Sequence, residues 1–424
     1  MFNKLLNNYK NNPLIKDNIV LFIANIIMGF FVFLYHFYMG RVLGPANYAI
    51  VGVIMSLVYL FNISLTTIQT SIANFTANFK AKNKFEEINY LLRSSTKRLF
   101  MFGFLFLILF LIFSPFLASY LKIKFFHLLL FSPFIIFVFL VPITRGILQG
   151  LQKFKGLGLN LISEGTSKLF LGIIFVVIGF GVNGAIGAMV LSYVIAFFIG
   201  FYPLKKLLIK KTKKFNTKDV YKYSIPVLLM LVGLIALYSI DVLLVKHFFS
   251  DREAGYYTAI STLGKILFFG SYSITQVMFP KVSELYIKKK PHKHLLYKSL
   301  SMMLIFLIPL TLLYFLFSGS IINLVYGKDY LEVANLLGLF AITMSLFSLI
   351  YTIAFYNLSI NKTKFLFIIF LFNLLEIILI YMFHNTLKQI VFVLIILMIL
   401  LFIILFLQAI ISKDGKIINN HTSI

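Results

Sequence analysis

Apolar positions in this chain gather into long unbroken runs, separated by short polar segments rich in lysine. Twelve such runs are visible, near 18–40, 45–68, 99–121, 125–150, 157–180, 182–204, 221–248, 255–280, 299–319, 331–358, 364–384 and 387–411. A helix of roughly 20 residues matches the hydrocarbon thickness of a bilayer. Lipid offers no partners to backbone N–H and C=O groups, so runs of this length imply helices that satisfy those groups internally. The alternation that marks a membrane barrel is absent. The pattern therefore predicts an all-α, polytopic membrane protein of about 12 transmembrane helices. The first run follows Lys4, Lys10 and Lys16, as a signal peptide would. It is too long for one and no small-residue cleavage site follows, so it reads as a retained helix.

The polar segments carry an orientation. Of the 39 Lys and Arg residues, 29 fall in alternate segments starting from the N-terminus and three (Arg145, Lys168, Lys265) inside spans. The intervening loops hold only Arg41, Lys122, Lys124, Lys246, Arg252, Lys328 and Lys388. A bias that alternates loop by loop is the positive-inside rule at work. It predicts a multi-pass protein of the cell membrane with both termini cytoplasmic. The basic clusters at 205–222 and 281–298 then read as topology signals that meet anionic membrane lipids. The net charge of +26 is accounted for in this way, without nucleic acid as a partner.

The two halves resemble each other. Ala46-Asn47-Tyr48 opens the second span and Ala254-Gly255-Tyr256 the eighth, 208 residues apart; Gln152-Lys153 and Asn361-Lys362 follow spans four and ten, 209 apart. Six spans is an even number, so the second half re-enters in the same orientation. The expected organisation is two parallel six-helix repeats around a central cavity, an N-terminal bundle at 1–212 and a C-terminal bundle at 213–424.

Composition removes other classes. Apolar residues make up 60% and charged residues 12%, far from the balance of soluble domains, and the mean hydropathy is +0.96. There is no cysteine, hence no thiolate metal site, thiol catalysis or disulfide. No Gly-rich phosphate loop, His-Glu-x-x-His or nucleophile elbow occurs, so the sequence implies no enzyme, cofactor or metal. No loop is long enough for a nucleotide-binding domain, which leaves an ion gradient, the substrate gradient or a separate partner as energy source.

Ionisable residues inside spans are the candidate chemistry: Arg145, Glu164, Lys168, Asp241, Lys265 and Glu376. Each costs at least ~2.5–3.5 kcal/mol at a helix centre, so each must face another polar group or water. Glu164 and Lys168, four apart and acid first, are placed to form a salt bridge. That pairing leaves Arg145 as the unneutralised charge of the first half, either a fork for phosphate oxygens or a cap on a helix end. Asp241 and Glu376 could pair with Lys265, or hold a coupling cation or proton. His36 reads as a helix–helix hydrogen-bond partner. In span eight, Thr258, Ser261, Lys265, Phe269, Tyr272 and Gln276 share one helix face. In span two, Ser56, Tyr59, Asn62, Thr66, Gln69 and Thr70 form a second polar stripe. Such stripes either line a wet cavity or stitch helices together; the lysine in the first favours the cavity.

Arg41-Val42-Leu43-Gly44-Pro45-Ala46-Asn47-Tyr48, between the first two spans, resembles the signature of polysaccharide-biosynthesis flippases. These belong to the multidrug/oligosaccharidyl-lipid/polysaccharide exporter superfamily. Ile147-Leu148-Gln149-Gly150, Tyr223-Ser224-Ile225-Pro226, Asp241, Gly255-Tyr256-Tyr257-Thr258-Ala259, and Pro280 with Ser283 extend the resemblance over nearly the whole chain, in order and spacing. The resemblance implies two six-helix bundles around a cavity, and translocation of an isoprenoid-diphosphate-linked oligosaccharide across the membrane. The diphosphate candidates are then Arg145, Lys168, Lys265 and Arg41. Glu164, Asp241, Glu376, Tyr272, Gln276, Thr66 and Gln69 are candidates for the cavity lining or for coupling. Glycosyltransferases or a polymerase are the implied protein partners. Two other functions fit the same features: a cation-coupled multidrug exporter of the superfamily, and a membrane scaffold of glycan assembly that transports nothing.

Overall fold

A computed structural model describes residues 13–209, 211–215, 225–360 and 362–411. Lys4, Lys10, Lys210, residues 216–224 with Tyr223 and Ser224, Asn361 and both termini lie outside the described residues, along with the expectations placed on them.

Every regular element among the described residues is helical. α1 (Pro13–Ala81) holds the first two spans and bends at Gly44, whose φ of 73° and ψ of 171° leave the helical region. Glycine adopts that conformation without a Cβ penalty, and Pro45 lacks the N–H that a new helix start would leave unpaired. α2 (Phe85–Tyr120) carries span three. α3 (Phe125–Phe131) and α4 (Phe134–Gly150) make span four, broken just before Pro133. α5 (Phe154–Phe175) and α6 (Gly181–Phe201) are spans five and six, joined by a π turn and by Gly179 and Gly181 at φ of 97° and 52°. Span seven is α7 (Ile225–Ala236) and α8 (Ile240–Phe248), interrupted at Leu237, Tyr238 and Ser239. α9 (Asp251–Ile287) is span eight and α10 (Lys293–Leu316) span nine. After the short α11 (Ser318–Val325) come α12 (Ala334–Ser359), α13 (Phe365–Met382) and α14 (Leu387–Ile411) as spans ten to twelve.

Nine stretches among the described residues are long and apolar enough to cross a membrane. Two of them, Ile23–Ala81 and Phe154–Leu208, each contain two spans. α9 fails the hydropathy test because of its polar stripe, yet at 37 residues it is ample in length. The count returns to twelve, and the chain is an all-α, multi-pass, two-repeat membrane protein. The helices also outrun the apolar runs. α1 continues to Ala81 and α2 begins at Phe85, against boundaries near 68 and 99 expected from hydropathy. The extra turns are polar, carrying Lys80, Glu86, Glu87 and Arg93, so hydropathy marks where the membrane ends and not where the helix does.

Contacts divide the chain into two compact units. The first comprises residues up to Ile235 with Phe249–Gly255; the second comprises Ala236–Phe248 and the residues from Tyr256 onward. In the first unit α1 packs along α4, α5 and α6. The α1–α4 approach depends on glycine: a Cβ at Gly146 would sit 2.7 Å from the Gln69 carbonyl oxygen, and one at Gly150 2.5 Å from that of Ala73. Small residues at such crossings let helix backbones close where burial gives no hydrophobic drive. In the second unit α12 packs against α10 and α14, and α13 against α8 and α14.

Several basic residues in the lysine-rich segments have a structural task. Lys80 Nζ donates to the Leu151 carbonyl at 3.0 Å and to Gln152 Oε1 at 2.8 Å, just past the end of α4. Lys153 reaches Pro203 O at 2.7 Å, Arg93 reaches Leu208 O at 2.9 Å and Lys293 reaches Ile410 O at 2.9 Å. The carbonyls at a helix C-terminus have no intrahelical donor, and a cation there also meets the negative end of the dipole.

Candidate functional site

Each unit gathers three of the charges found inside spans; Glu87 of α2 (7% exposed) and Lys246 of α8 (1% exposed), the latter expected in a loop, are buried as well. In the first, α5 presents Asn160, Glu164 and Lys168 at four-residue spacing, so the three share its buried face. Arg145 reaches them from α4. Its guanidinium forms an ion pair with Glu164, and its Nε donates to Asn160 Oδ1 at 2.7 Å. Asn160 Nδ2 in turn donates to the Ala196 carbonyl of α6. Arg145 and Glu164 are 3% and 4% exposed, so the pair is desolvated and the fork geometry of arginine is what satisfies it.

This corrects the pairing expected from spacing alone. Glu164 is taken by Arg145, and Lys168 is the residue left over. Favourable spacing along one helix lost to a longer, forked cation arriving from a neighbouring helix, which also collects a second acceptor. Lys168, 6% exposed, points its Nζ at Met55 Sδ (3.4 Å) and lies 4.8 Å from the Tyr35 ring centroid. The Tyr35 hydroxyl is turned away, donating to Ala185 O at 2.9 Å. Among the described residues, the only anion acting on Lys168 is Glu164, whose charge is already paired. One positive charge is therefore uncompensated in this cluster.

The second unit builds its cluster at the break in span seven. Asp241 sits in the first turn of α8, where the positive end of the helix dipole favours a carboxylate. Tyr257 of α9 donates its hydroxyl to Asp241 Oδ2 at 2.7 Å. Two turns further along α9, Lys265 lies in electrostatic range of Asp241 and 5.4 Å from the Tyr238 ring centroid. Glu376 of α13 completes the group, within electrostatic range of Asp241 and Tyr257. Glu376 is 0% exposed, and neither of its oxygens has a hydrogen-bond partner; Asp241 Oδ1 has none either. Lys168 and Glu376 stand 208 residues apart, the same offset as the repeat, on spans five and eleven.

The remaining candidates are elsewhere. Arg41 is exposed at the bend of α1, with its guanidinium 5.8 Å from the Phe37 ring centroid, outside the buried cluster of its unit. His36 bonds Tyr48 across that same bend (Nδ1 to hydroxyl, 3.1 Å), joining two spans as expected. The span-two stripe divides in function. Asn62 accepts from Tyr193 of α6 at 2.9 Å and Gln69 donates to Gln149 of α4 at 2.9 Å, both stitching helices. Thr66 and Thr70 are exposed and bond their own helix backbone. The span-eight stripe changes along its length: Thr258, Ser261 and Lys265 are buried, Tyr272 is half-buried and Gln276 exposed. Asn160, Tyr35, Met55 and Tyr257 were missed as site residues. An asparagine one turn before Glu164 in an apolar span was a readable signal; nothing in the sequence pointed Met55 or Tyr35 at Lys168.

Residues 38–335 match the family model described as polysaccharide biosynthesis protein. An uncharacterised membrane protein of Methanocaldococcus jannaschii is 26% identical over 297 residues, covering 64% of this chain and 68% of its own. Among solved structures, an inward-facing multidrug resistance MATE transporter of the MOP superfamily superposes with a TM-score of 0.75 at 14% identity, covering 89% of this chain and 94% of its own. The lipid II flippase MurJ, in an inward closed conformation, gives 0.74 at 19%, covering 92% and 87%. A MOP superfamily transporter from Pyrococcus furiosus, described as having a binding pocket of reverse polarity, gives 0.68 at 16%, covering 92% and 93%. At these identities the structural likeness speaks for the fold, and the sequence match speaks for the family. The chain belongs to the polysaccharide biosynthesis protein family and has the fold of the transporters and flippases of the MOP superfamily.

Proposed function

We propose that this protein is a flippase that carries an isoprenoid-diphosphate-linked oligosaccharide across the cell membrane by alternating access, for surface polysaccharide or glycoconjugate assembly. The observation that carries the reading is the uncompensated ammonium of Lys168, held by a thioether and an aromatic ring. A buried cation is expensive in a membrane protein unless an anion meets it during function. The resemblance of the sequence motifs to polysaccharide-biosynthesis flippases implies the class of anion, a diphosphate between lipid and glycan, and membership of the polysaccharide biosynthesis protein family supports that reading. Arg145 serves this reading as a positioning residue, because its donors are engaged by Glu164 and Asn160.

The test uses the full chain in proteoliposomes loaded with an isoprenoid-diphosphate-linked oligosaccharide. Protein-dependent movement of the glycan to the opposite leaflet is expected. K168M, of similar length and apolar, should insert normally with unchanged or slightly higher thermal stability, and should move the glycan at least tenfold more slowly. Movement at the rate of protein-free vesicles overturns the function. Wild-type rates in K168M overturn the role of Lys168. Uptake of small organic cations instead of glycan would assign the multidrug reading, and a folded protein that moves neither would assign the scaffold.

A further inference from the structure

The second half of α1 carries a feature that the buried charges leave unused. Asn62, Thr66, Thr70, Asn74 and Asn78 follow one another at four-residue spacing, a single row along about 24 Å of helix. Asn62 is half-buried and the other four are exposed. The row starts inside the apolar run of span two and continues along the polar extension of the helix towards Ala81. No charged residue occurs from Val42 to Phe79, and Lys80 just beyond is engaged by Leu151 and Gln152. What the row offers is therefore neutral hydrogen bonding, and it is only partly satisfied. Thr66 and Thr70 donate to the carbonyls of Asn62 and Thr66 at 3.3 and 2.8 Å, which leaves their oxygens as acceptors. Asn78 Nδ2 donates to Asn74 Oδ1 at 3.2 Å; Asn78 Oδ1 and Asn74 Nδ2 have no partner among the described residues. Beside the row, Gln69 Nε2 donates to Gln149 Oε1 at 2.9 Å, which leaves Gln69 Oε1 to accept and the Gln149 amide to donate. The half-buried rings of Phe75 and Phe79 run alongside, their centroids 6.5 Å apart.

We infer that this row is a glycan track: uncharged sugars of the carried oligosaccharide lie along it. Their hydroxyls exchange hydrogen bonds with the open amides and threonine oxygens, and their C–H faces rest against Phe75 and Phe79. The inference rests on the flippase reading and divides the substrate between two places, the diphosphate at Lys168 and the sugars at the row. A sugar hydroxyl is both donor and acceptor, and the row with its flanking glutamines supplies both. Such a lining, a few placed polar groups beside aromatic rings, is usual for small-molecule sites. Against acyl chains the open amide atoms would have no partner at all, an expensive arrangement.

Two measurements on the full chain in proteoliposomes test the track. The protein has no cysteine, so T66C and T70C each introduce a single thiol. Each should react with a charged maleimide supplied on both sides, because a thiol ionises in water and not among acyl chains. An isoprenyl-diphosphate lipid carrying five hexoses should slow that labelling at least fivefold, and one carrying a single hexose less than twofold. In the second measurement, T66V/T70V/N74L/N78L should lower the ratio of five-hexose to one-hexose transport at least fivefold relative to the wild type. Should that variant fail to fold, the isosteric T66V/T70V makes the same comparison. Thiols that do not label, labelling that neither lipid slows, or a transport ratio equal to that of the wild type overturns the track while the flippase reading stands. A wild type that moves neither lipid overturns the flippase reading, and the track with it.

Discussion

The two units place buried charge at equivalent positions and fill those positions with opposite chemistry. Span five of the first unit carries Lys168; 208 residues on, span eleven carries Glu376. In the first unit the remaining charges, Arg145 and Glu164, neutralise each other and leave the lysine in surplus. In the second, Lys265 lies in electrostatic range of Asp241, and the glutamate has no hydrogen-bond donor. A duplicated scaffold therefore conserves where a polar group is tolerated in a span, because that depends on helix packing. It does not conserve the sign of the charge, which depends on one side chain.

The comparison can be broken by asking how much each acid contributes. Glu164 is paired with Arg145, so E164Q strands the Arg145 guanidinium. Breaking a buried pair on one side costs about 3–5 kcal/mol, and thermal unfolding in detergent should show the largest fall of any variant discussed. Removing both partners, as R145M/E164L, should restore part of that loss. Next in size is Y257F, which takes from Asp241 the hydroxyl that donates to its Oδ2. Bonds to charged groups are worth about 1.5–3 kcal/mol, read as the same unfolding shift. The smallest effect belongs to E376Q. Neither Glu376 oxygen has a hydrogen-bond donor to lose and the amide is its near isostere, so the change should cost less than about 1 kcal/mol. If E376Q proves as damaging as E164Q, Glu376 is ionised and paired and the contrast between the units is wrong.

Much of this was legible beforehand, for a physical reason. The spans are set by the requirement that backbone in lipid be helical, and the lysine-rich segments between them follow from the charge bias of membrane loops. That requirement acts residue by residue and leaves its mark in the one-dimensional pattern. The breaks were less visible. Gly44 with Pro45 marks a bend openly, but the unwinding at Leu237 to Ser239 contains neither glycine nor proline. The identities of the buried charges were legible as well, because any Arg, Glu, Lys or Asp inside an apolar run stands out. Their pairing was not. Glu164 and Lys168 satisfy the helix-spacing rule, yet α4 passes α5 at a height that gives Arg145 first access to the carboxylate. Which helix passes at which height is a property of packing, decided by contacts such as Gly200 against Thr144 rather than by spacing along one strand of sequence.

The lysines that cap helix ends have an evolutionary consequence. Lys80, Lys153 and Lys293 belong to the segments whose charge bias is expected to orient the chain, and they also hold backbone carbonyls of neighbouring helices. A residue that only signals orientation can drift so long as the total bias survives. One that also closes a helix end cannot be traded for a lysine a few positions away. Selection for a folded protein would thus hold these lysines in place, and with them whatever orientation their charge bias sets.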